Sequence, residues 1–160
     1  KYVSGSQDQL GIIVPGISRL DYDGNYWPAH IENTLDKETC EWLSNVLQLI
    51  PLSPRPNGYD PLEIQDLKPE YVKVLGDAGY QCYDAILRKD VKLLGESMTK
   101  TFYAWKKILP NTVPEWVLEE IESKYIGKYP GAITSGCGGG YAVVASEEPI
   151  EGAMKIKVRY

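Results

Sequence analysis

The sequence predicts an α+β domain in which an antiparallel sheet carries about three helices on one face. Apolar, β-prone runs bounded by turn residues lie near both ends of the chain. Three segments with the period of an amphipathic helix lie between those runs. The chain has 160 residues, the length of one domain with a substantial core, so we treat residues 1–160 as a single domain.

The N-terminal strands are predicted within residues 10–34, which we expect to form two or three antiparallel strands. Residues 10–14 are a short apolar run that a Pro-Gly pair ends. Residues 17–22 alternate as a half-buried strand does, and an Asp-Gly turn signal follows. Further along, residues 46–52 are too apolar for a surface element and predict a central strand that ends in a proline-rich loop.

Three helices are predicted in the middle of the chain. Pro69 fits the first turn of a helix, and apolar residues then recur at three- and four-residue spacing. These residues are Val72, Leu75, Gly79, Cys82 and Ile86. Asp90 can cap a second helix that Pro110 ends, and Pro114 opens a third. Residues 154–160 alternate strictly between apolar and polar, which predicts a last strand with one solvated face.

The composition is that of an ordinary globular protein, with 43% hydrophobic and 24% charged residues. The net charge of −5 argues against a nucleic-acid binder or a protein that binds anionic membranes. The three cysteines are not clustered and there is a single histidine, so no metal site is predicted. Reduced cysteines fit a cytoplasmic protein, and a start at Lys1 without Met or signal peptide indicates a piece of a longer chain.

A glycine-rich stretch is the most distinctive feature of the sequence. Five glycines fall within residues 131–140, just before an apolar, β-prone run that begins at Tyr141. Glycine permits left-handed conformations and a close approach of the backbone, so the stretch predicts a loop anchored to a strand. Successive backbone N–H groups in such a loop can bind an anion; the alternative is a turn that only relieves crowding. The candidate binding residues are Ser135, Gly136, Cys137, Gly138, Gly139 and Gly140.

Two charged residues outside the glycine-rich stretch are also candidates. Asp8 is a carboxylate between the amides of Gln7 and Gln9, in a polar turn before a predicted strand, and can act at the edge of a site. The alternative for Asp8 is a turn or helix-cap aspartate. Arg55 follows the predicted central strand and can bind phosphate or carboxylate with two hydrogen bonds; the alternative is a solvated loop residue.

Two stretches together resemble a known family. Residues 5–9, Gly-Ser-Gln-Asp-Gln, resemble the Gly-x-x-Asp-Gln motif of the GHMP superfamily of small-molecule kinases, closest to its fucokinase and heptose-phosphate kinase branch. Residues 131–140 resemble the third motif of that superfamily, Gly-x-Lys-x-Ser/Thr-Gly-Ala-Gly-Gly-Gly. Three predicted helices lie between the two motifs, as in the C-terminal half of the family, and the pattern over residues 85–95 is similar to that of the branch.

The resemblance implies a fold, a reaction and roles for the candidate residues. The fold would be the ferredoxin-like C-terminal domain of a GHMP kinase. The reaction would transfer a phosphoryl group from ATP, with Mg²⁺, to a hydroxyl group of a sugar or sugar phosphate. Asp8 would accept or orient the proton of that hydroxyl group, and residues 135–140 would supply backbone N–H donors where negative charge develops. Gln7, Gln9 and Arg55 complete the predicted substrate- and phosphate-binding set.

The sequence departs from the family pattern at three positions of the third motif. Ile133 stands at its lysine, Cys137 at its usual alanine and Tyr141 at its fourth glycine. These departures leave open which sugar is the substrate. They also motivate a second hypothesis, a non-catalytic metabolite-binding or regulatory module with the same fold. A third hypothesis is an interaction domain in which the glycine-rich loop is only structural.

The family also has an N-terminal half that no stretch of this sequence resembles. That half carries the phosphate loop and the metal-coordinating residues of the family. We therefore expect residues 1–160 to be the C-terminal half of a longer kinase. We expect this piece to be inactive alone, with neither ATP nor Mg²⁺ bound to it.

Overall fold

The protein has an α+β fold in the computed structural model, which describes residues 5–160. Its helices in that range are α1 (Ser6–Ile13), α2 (Lys37–Val46), α3 (Pro69–Arg88), α4 (Val91–Ile108) and α5 (Glu115–Lys124), with a 3₁₀ turn at Pro110–Thr112. Its strands are β1 (Ile17–Asp21), β2 (His30–Thr34), β3 (Leu47–Pro51), β4 (Gly131–Thr134), β5 (Tyr141–Ala145) and β6 (Met154–Lys155). Strands β1 and β2 form a separate antiparallel hairpin, and the others form an antiparallel sheet in the order β4-β5-β3-β6. No helix in the described part of the chain has the length and apolar composition needed to cross a bilayer.

Helix α1 occupies a segment for which the sequence predicts a polar turn and a strand. The apolar run at its end pairs with no other strand and stays on the surface, where Ile12 and Ile13 are each 72% exposed. Asp8 lies in the first turn of the helix, where a negative charge interacts favourably with the helix dipole. The prediction of two or three strands in residues 10–34 is therefore confirmed only for β1 and β2, which pair with each other.

Helix α2 has no counterpart in the sequence analysis, although its first residue is preceded by a typical cap. The carboxylate of Asp36 accepts hydrogen bonds from the hydroxyl (2.7 Å) and the amide (2.8 Å) of Thr39, and these bonds lower the pKa of Asp36.

Strand β3 follows α2 directly and confirms the predicted central strand. The predicted last strand is wrong beyond Lys155, because the amide of Val158 donates to the hydroxyl of Ser44 (2.9 Å) rather than to a strand.

The helices pack on both faces of the four-stranded sheet, so the prediction of helices on one face is wrong. Side chains alternate across a strand, so Ile50 of β3 and Val144 of β5 share a face, and they pack in one cluster with Ile121 of α5. On the opposite face Ala145 packs with Ile86 of α3. The helical period indicates that each helix has an apolar side, but it carries no information on which face of a sheet that side covers.

The backbones of helix α4 and the edge strand β4 are in direct contact where Gly95 meets Gly131. A β-carbon added to Gly95 would overlap the backbone of Pro130 and Gly131, and one added to Gly131 would overlap Gly95. The amide of Ala132 donates to the hydroxyl of Thr99 on α4 (3.3 Å). This close contact gives Gly95 a packing role, because glycine at this position lets α4 lie directly against the strand that leads into the glycine-rich loop.

Candidate functional site

The glycine loop, residues 135–140, is the tip of the β4–β5 hairpin. It is shorter than the stretch singled out in the sequence, because residues 131–134 form β4. Its four glycines all have positive φ, at Gly136 (81°), Gly138 (74°), Gly139 (114°) and Gly140 (88°). Residues with a side chain rarely adopt this conformation, so the path of the loop depends on glycine at these positions.

Half of the loop amides are engaged within the protein. The amide of Ser135 donates to the carbonyl of Tyr141, that of Gly138 to Thr112 and that of Gly140 to Ser53, each over 2.9 Å. These three groups are therefore not available as donors to a ligand, which corrects the expectation that all six loop residues supply one. The other three loop amides, those of Gly136, Cys137 and Gly139, have no acceptor among residues 5–160.

Two aromatic side chains fill the space beside the loop. A β-carbon at Gly138 would lie 2.5 Å from the ring of Tyr59, and one at Gly139 would lie 2.7 Å from the ring of Trp116. The hydroxyl of Tyr59 donates to the carbonyl of Asn111, and burial of the ring, with the nearby thiol of Cys137, raises the pKa of Tyr59 to about 12. Sequence reasoning missed both aromatics; the only signal for Tyr59 is an aromatic residue inside a Pro- and Gly-rich segment.

Arg55 is the predicted binding residue that the structure brings to the loop. It is exposed, and its Nη1 lies 3.9 Å from Sγ of Cys137. The contact arises because the segment after β3 runs beside the loop, where the amide of Leu52 donates to the carbonyl of Gly140 (2.8 Å). A guanidinium and backbone amides without internal acceptors thus lie at one end of the sheet, a combination that suits an anionic oxygen group.

The other predicted residues lie together in the first turns of α1. Gln7, Asp8 and Gln9 are all exposed, and the side-chain amide of Gln9 donates to the hydroxyl of Tyr26 (3.0 Å). The anchor of this turn is the buried hydroxyl of Ser6, which donates to the carbonyl of Tyr26 (2.5 Å) and lies 2.9 Å from the hydroxyl of Tyr22. The helix is thereby tied to the loop that joins β1 and β2.

The two groups of predicted residues are not joined by direct contacts. The other end of α1 is held by the side chain of Arg159, which donates to the carbonyl of Ile12 (2.5 Å). Within residues 5–160, no hydrogen bond or ion pair connects α1 with the glycine loop or with Arg55. The structure therefore groups Arg55 with the loop, and Asp8 with its two glutamines, as separate sets.

Mg²⁺, which the resemblance implies, has no preformed cluster of ligands among the described residues. In this part of the chain, no group of three or more His, Cys, Asp or Glu side chains is arranged to hold a metal. We therefore assign no residue of this chain to Mg²⁺.

Comparisons with known proteins return no relative. No protein-family model matches the chain, and neither a curated protein nor a solved structure matches it significantly.

Proposed function

We propose that this chain forms the C-terminal half of an ATP-dependent kinase of the GHMP type that phosphorylates a hydroxyl group of a sugar or sugar phosphate. The observation that carries the proposal is the pairing of Arg55 with the glycine loop, in which four left-handed glycines bring backbone amides beside a guanidinium. The motif resemblance of residues 5–9 and 131–140 supports the same reaction.

The loop and Arg55 would stabilise negative charge on the phosphoryl group. Phosphoryl transfer depends chiefly on positioning and on charge stabilisation, so a rigid set of donors lowers the barrier without taking part in bond making. The amides of Gly136, Cys137 and Gly139 are the loop donors for this role, together with the guanidinium of Arg55. The internal hydrogen bonds of Gly138 and Gly140 hold the loop in place while the other amides face a ligand.

Asp8 would act as the base that accepts the proton of the substrate hydroxyl. It is exposed at the surface of α1, so a substrate can reach it. A carboxylate in hydrogen-bond reach of a hydroxyl group can accept its proton during transfer.

ATP would supply the phosphoryl group that is transferred. The described residues provide donors for an anion but no ligand set for Mg²⁺, so under this proposal the metal belongs to the N-terminal half that the resemblance implies. The same half would bring the hydroxyl group, Asp8 and the loop into one cleft, since no hydrogen bond or ion pair among residues 5–160 joins Asp8 to the loop.

The test is ATP consumption by the full-length natural protein against a panel of sugars and sugar phosphates. Turnover with one sugar establishes the reaction class. The variant Asp8→Asn should then lose about 10²- to 10⁴-fold in rate, as expected for removal of a general base. The matched control is Glu119→Gln on α5, an exposed carboxylate without a hydrogen bond or ion pair among the described residues, which should leave the rate unchanged. An Asp8→Asn enzyme with normal turnover would refute the assignment of the base.

A second candidate function is a metabolite-binding module without catalysis. The observation in its favour is that the protein itself occupies the amides of Ser135, Gly138 and Gly140, while Ile133 replaces the lysine of the resembled motif. Calorimetric binding of a sugar phosphate by a well-folded full-length protein that consumes no ATP would favour this candidate over the kinase.

A further inference from the structure

A cavity of about 770 Å³, open to solvent on one side, lies between strand β1, helices α3 and α4, and one face of the sheet. Cavities of a few hundred to a thousand Å³ are the usual size of small-molecule sites. The cavity is distinct from the candidate site above, because neither Asp8 nor Arg55 nor any residue of the glycine loop lines it. Its wall includes Val143 of β5 and Ile133 of β4.

The wall of this cavity is predominantly apolar. The predicted apolar stripe of α3 lines it, and Val72 at the start of that stripe is 46% exposed. Leu94 and Met98 of α4 form the opposite side. The polar side chains in the wall already have partners: the hydroxyl of Thr101 donates to the carbonyl of Ser97 (2.9 Å), and that of Ser18 accepts from Asn33 (2.9 Å).

Two glycines of α3 keep this space open. Gly76 and Gly79 line the cavity, and a β-carbon added at either position would meet no atom within 4 Å. Neither has a positive φ, so neither the backbone nor the packing requires glycine there. Glycine inside a helix costs about 0.5–1 kcal/mol relative to alanine. Glycine at these two exposed positions leaves part of the cavity wall without a side chain.

The charges at the rim are already paired. The guanidinium of Arg19 donates two hydrogen bonds of 3.0 Å to the carboxylate of Asp21 and lies 2.9 Å from the carboxylate of Glu32. It also stacks over the ring of Tyr80, 4.5 Å from its centre. An anionic ligand would have to displace these carboxylates, and a cationic ligand would meet the guanidinium, so the rim favours an uncharged molecule.

We propose that this cavity is a binding site for an uncharged, largely hydrocarbon small molecule, aromatic or alicyclic, whose body fills the space beside Gly76 and Gly79. The site is independent of the proposed kinase reaction. Because Ile133 and Val143 belong to the two strands that carry the glycine loop, a ligand here also contacts the base of the β4–β5 hairpin.

The test uses two fluorophores that differ by one charged group. N-phenyl-1-naphthylamine is neutral, and 8-anilinonaphthalene-1-sulfonate carries a sulfonate on the same ring system. We expect saturable, blue-shifted fluorescence of the neutral probe at one site per chain, and binding of the sulfonate weaker by about tenfold or more, as expected for an unpaired charge in an apolar site. Equal or tighter binding of the sulfonate would overturn the proposal, as would the absence of saturable binding of the neutral probe.

Two leucine variants locate the binding event. Gly76→Leu and Gly79→Leu should each weaken binding of the neutral probe by about tenfold or more, because the new side chain occupies ligand volume. Both should raise the melting temperature, since leucine favours the helix and its β-carbon meets no atom. The matched control is Gly11→Ala in α1, which should leave binding unchanged. Unchanged binding in both leucine variants would contradict the proposal.

A measurement on the wild-type chain does not depend on how the variants fold. Intermolecular nuclear Overhauser effects from the neutral probe should reach the methyl groups of Leu75 and Val143, which lie inside the cavity. Effects confined to the exposed methyl groups of Ile12 and Ile13 would show that the probe binds the surface of α1 and would overturn the proposal.

Discussion

The glycine loop and helix α1 contain the two groups of predicted site residues. The two regions differ in how strongly internal hydrogen bonds and packing fix them. Three of the six loop amides donate to neighbouring carbonyls, and two aromatic rings fill the space beside the loop. In α1 only Ser6 is buried, and the three candidate residues Gln7, Asp8 and Gln9 are exposed. The proposed phosphate-binding half is thus preorganised by this chain, whereas the half with the candidate base has few internal contacts.

The difference indicates what each half requires in order to function. Preorganised donors need no reorganisation when charge develops, so a loop built in this way is ready to bind an anion. A base on an exposed helix must be positioned by the substrate or by another part of the protein before it can act. The following predictions test that contrast, from the largest expected effect on stability to the smallest.

Substitution of Gly95 by alanine should have the largest effect. The added β-carbon overlaps the backbone of Pro130 and Gly131, which cannot move aside as a side chain could. We expect the free energy of unfolding to fall by about 3–5 kcal/mol. Urea unfolding followed by circular dichroism measures it. The control is Gly11→Ala in α1, where the surroundings are open and stability should rise by about 0.5–1 kcal/mol. Equal changes in unfolding free energy for Gly95→Ala and Gly11→Ala would show that the contact between α4 and β4 does not require glycine at position 95.

Substitution of Gly138 by alanine should cost about 2–3 kcal/mol, because it combines a positive φ with a clash against the ring of Tyr59. Gly140→Ala separates the two causes. Gly140 also has a positive φ, but its β-carbon would meet no atom within 4 Å, so we expect a loss of about 1 kcal/mol. Thermal unfolding of both variants tests the difference, and equal losses would mean that the packing of Tyr59 contributes nothing.

Substitution of Ser6 by alanine should destabilise the protein by about 1–2 kcal/mol, because it removes the hydrogen bond (2.5 Å) that the buried hydroxyl of Ser6 donates to the carbonyl of Tyr26. Asp8→Asn is the matched change on the exposed side of the same turn, and we expect an effect within about 0.5 kcal/mol. Denaturant midpoints of the two variants provide the comparison. A large loss in Asp8→Asn would mean that Asp8 has a structural role.

The ionisation of Tyr59 should make loop packing sensitive to alkaline pH. Burial of the ring raises the pKa of Tyr59 to about 12 in the folded protein, from about 10 in an unfolded chain. The stability from the neutral hydroxyl is complete below pH 10 and is lost as the pH rises towards 12. The difference in unfolding free energy between wild type and Tyr59→Phe should therefore be constant up to about pH 10 and shrink above it. A difference independent of pH up to 12 would contradict the burial of this hydroxyl.

Elements with a long, regular apolar period could be predicted from the sequence. Helices α3 and α4 are predicted because each has an apolar stripe over several turns and because Pro69, Asp90 and Pro110 mark their ends. Helix α1 could not be predicted in the same way. It has eight residues, and its apolar side chains point to solvent, so the run Ile12-Ile13 resembles a strand.

The candidate site could be predicted only as a set of residues. The glycines indicate a loop with left-handed backbone, and the structure confirms four positive φ values. Which amides donate to Thr112 and Ser53 depends on contacts between segments far apart in the chain, and no local pattern encodes them. The cavity also depends on contacts between segments far apart in the chain, so no local pattern predicts it. The stripe of α3 predicts an apolar environment, and a filled core and an apolar cavity produce the same stripe.

The contact between α4 and β4 has a consequence for how the protein behaves at high concentration. An exposed strand edge presents unpaired amides and carbonyls on which another chain can add a strand, the first step of edge-to-edge aggregation. Here one edge of the sheet is covered by α4, whose Thr99 accepts the amide of Ala132, and the other edge is the two-residue strand β6. Loosening α4 would uncover the first edge, so a substitution at Gly95 would cost the protein its resistance to aggregation as well as its stability.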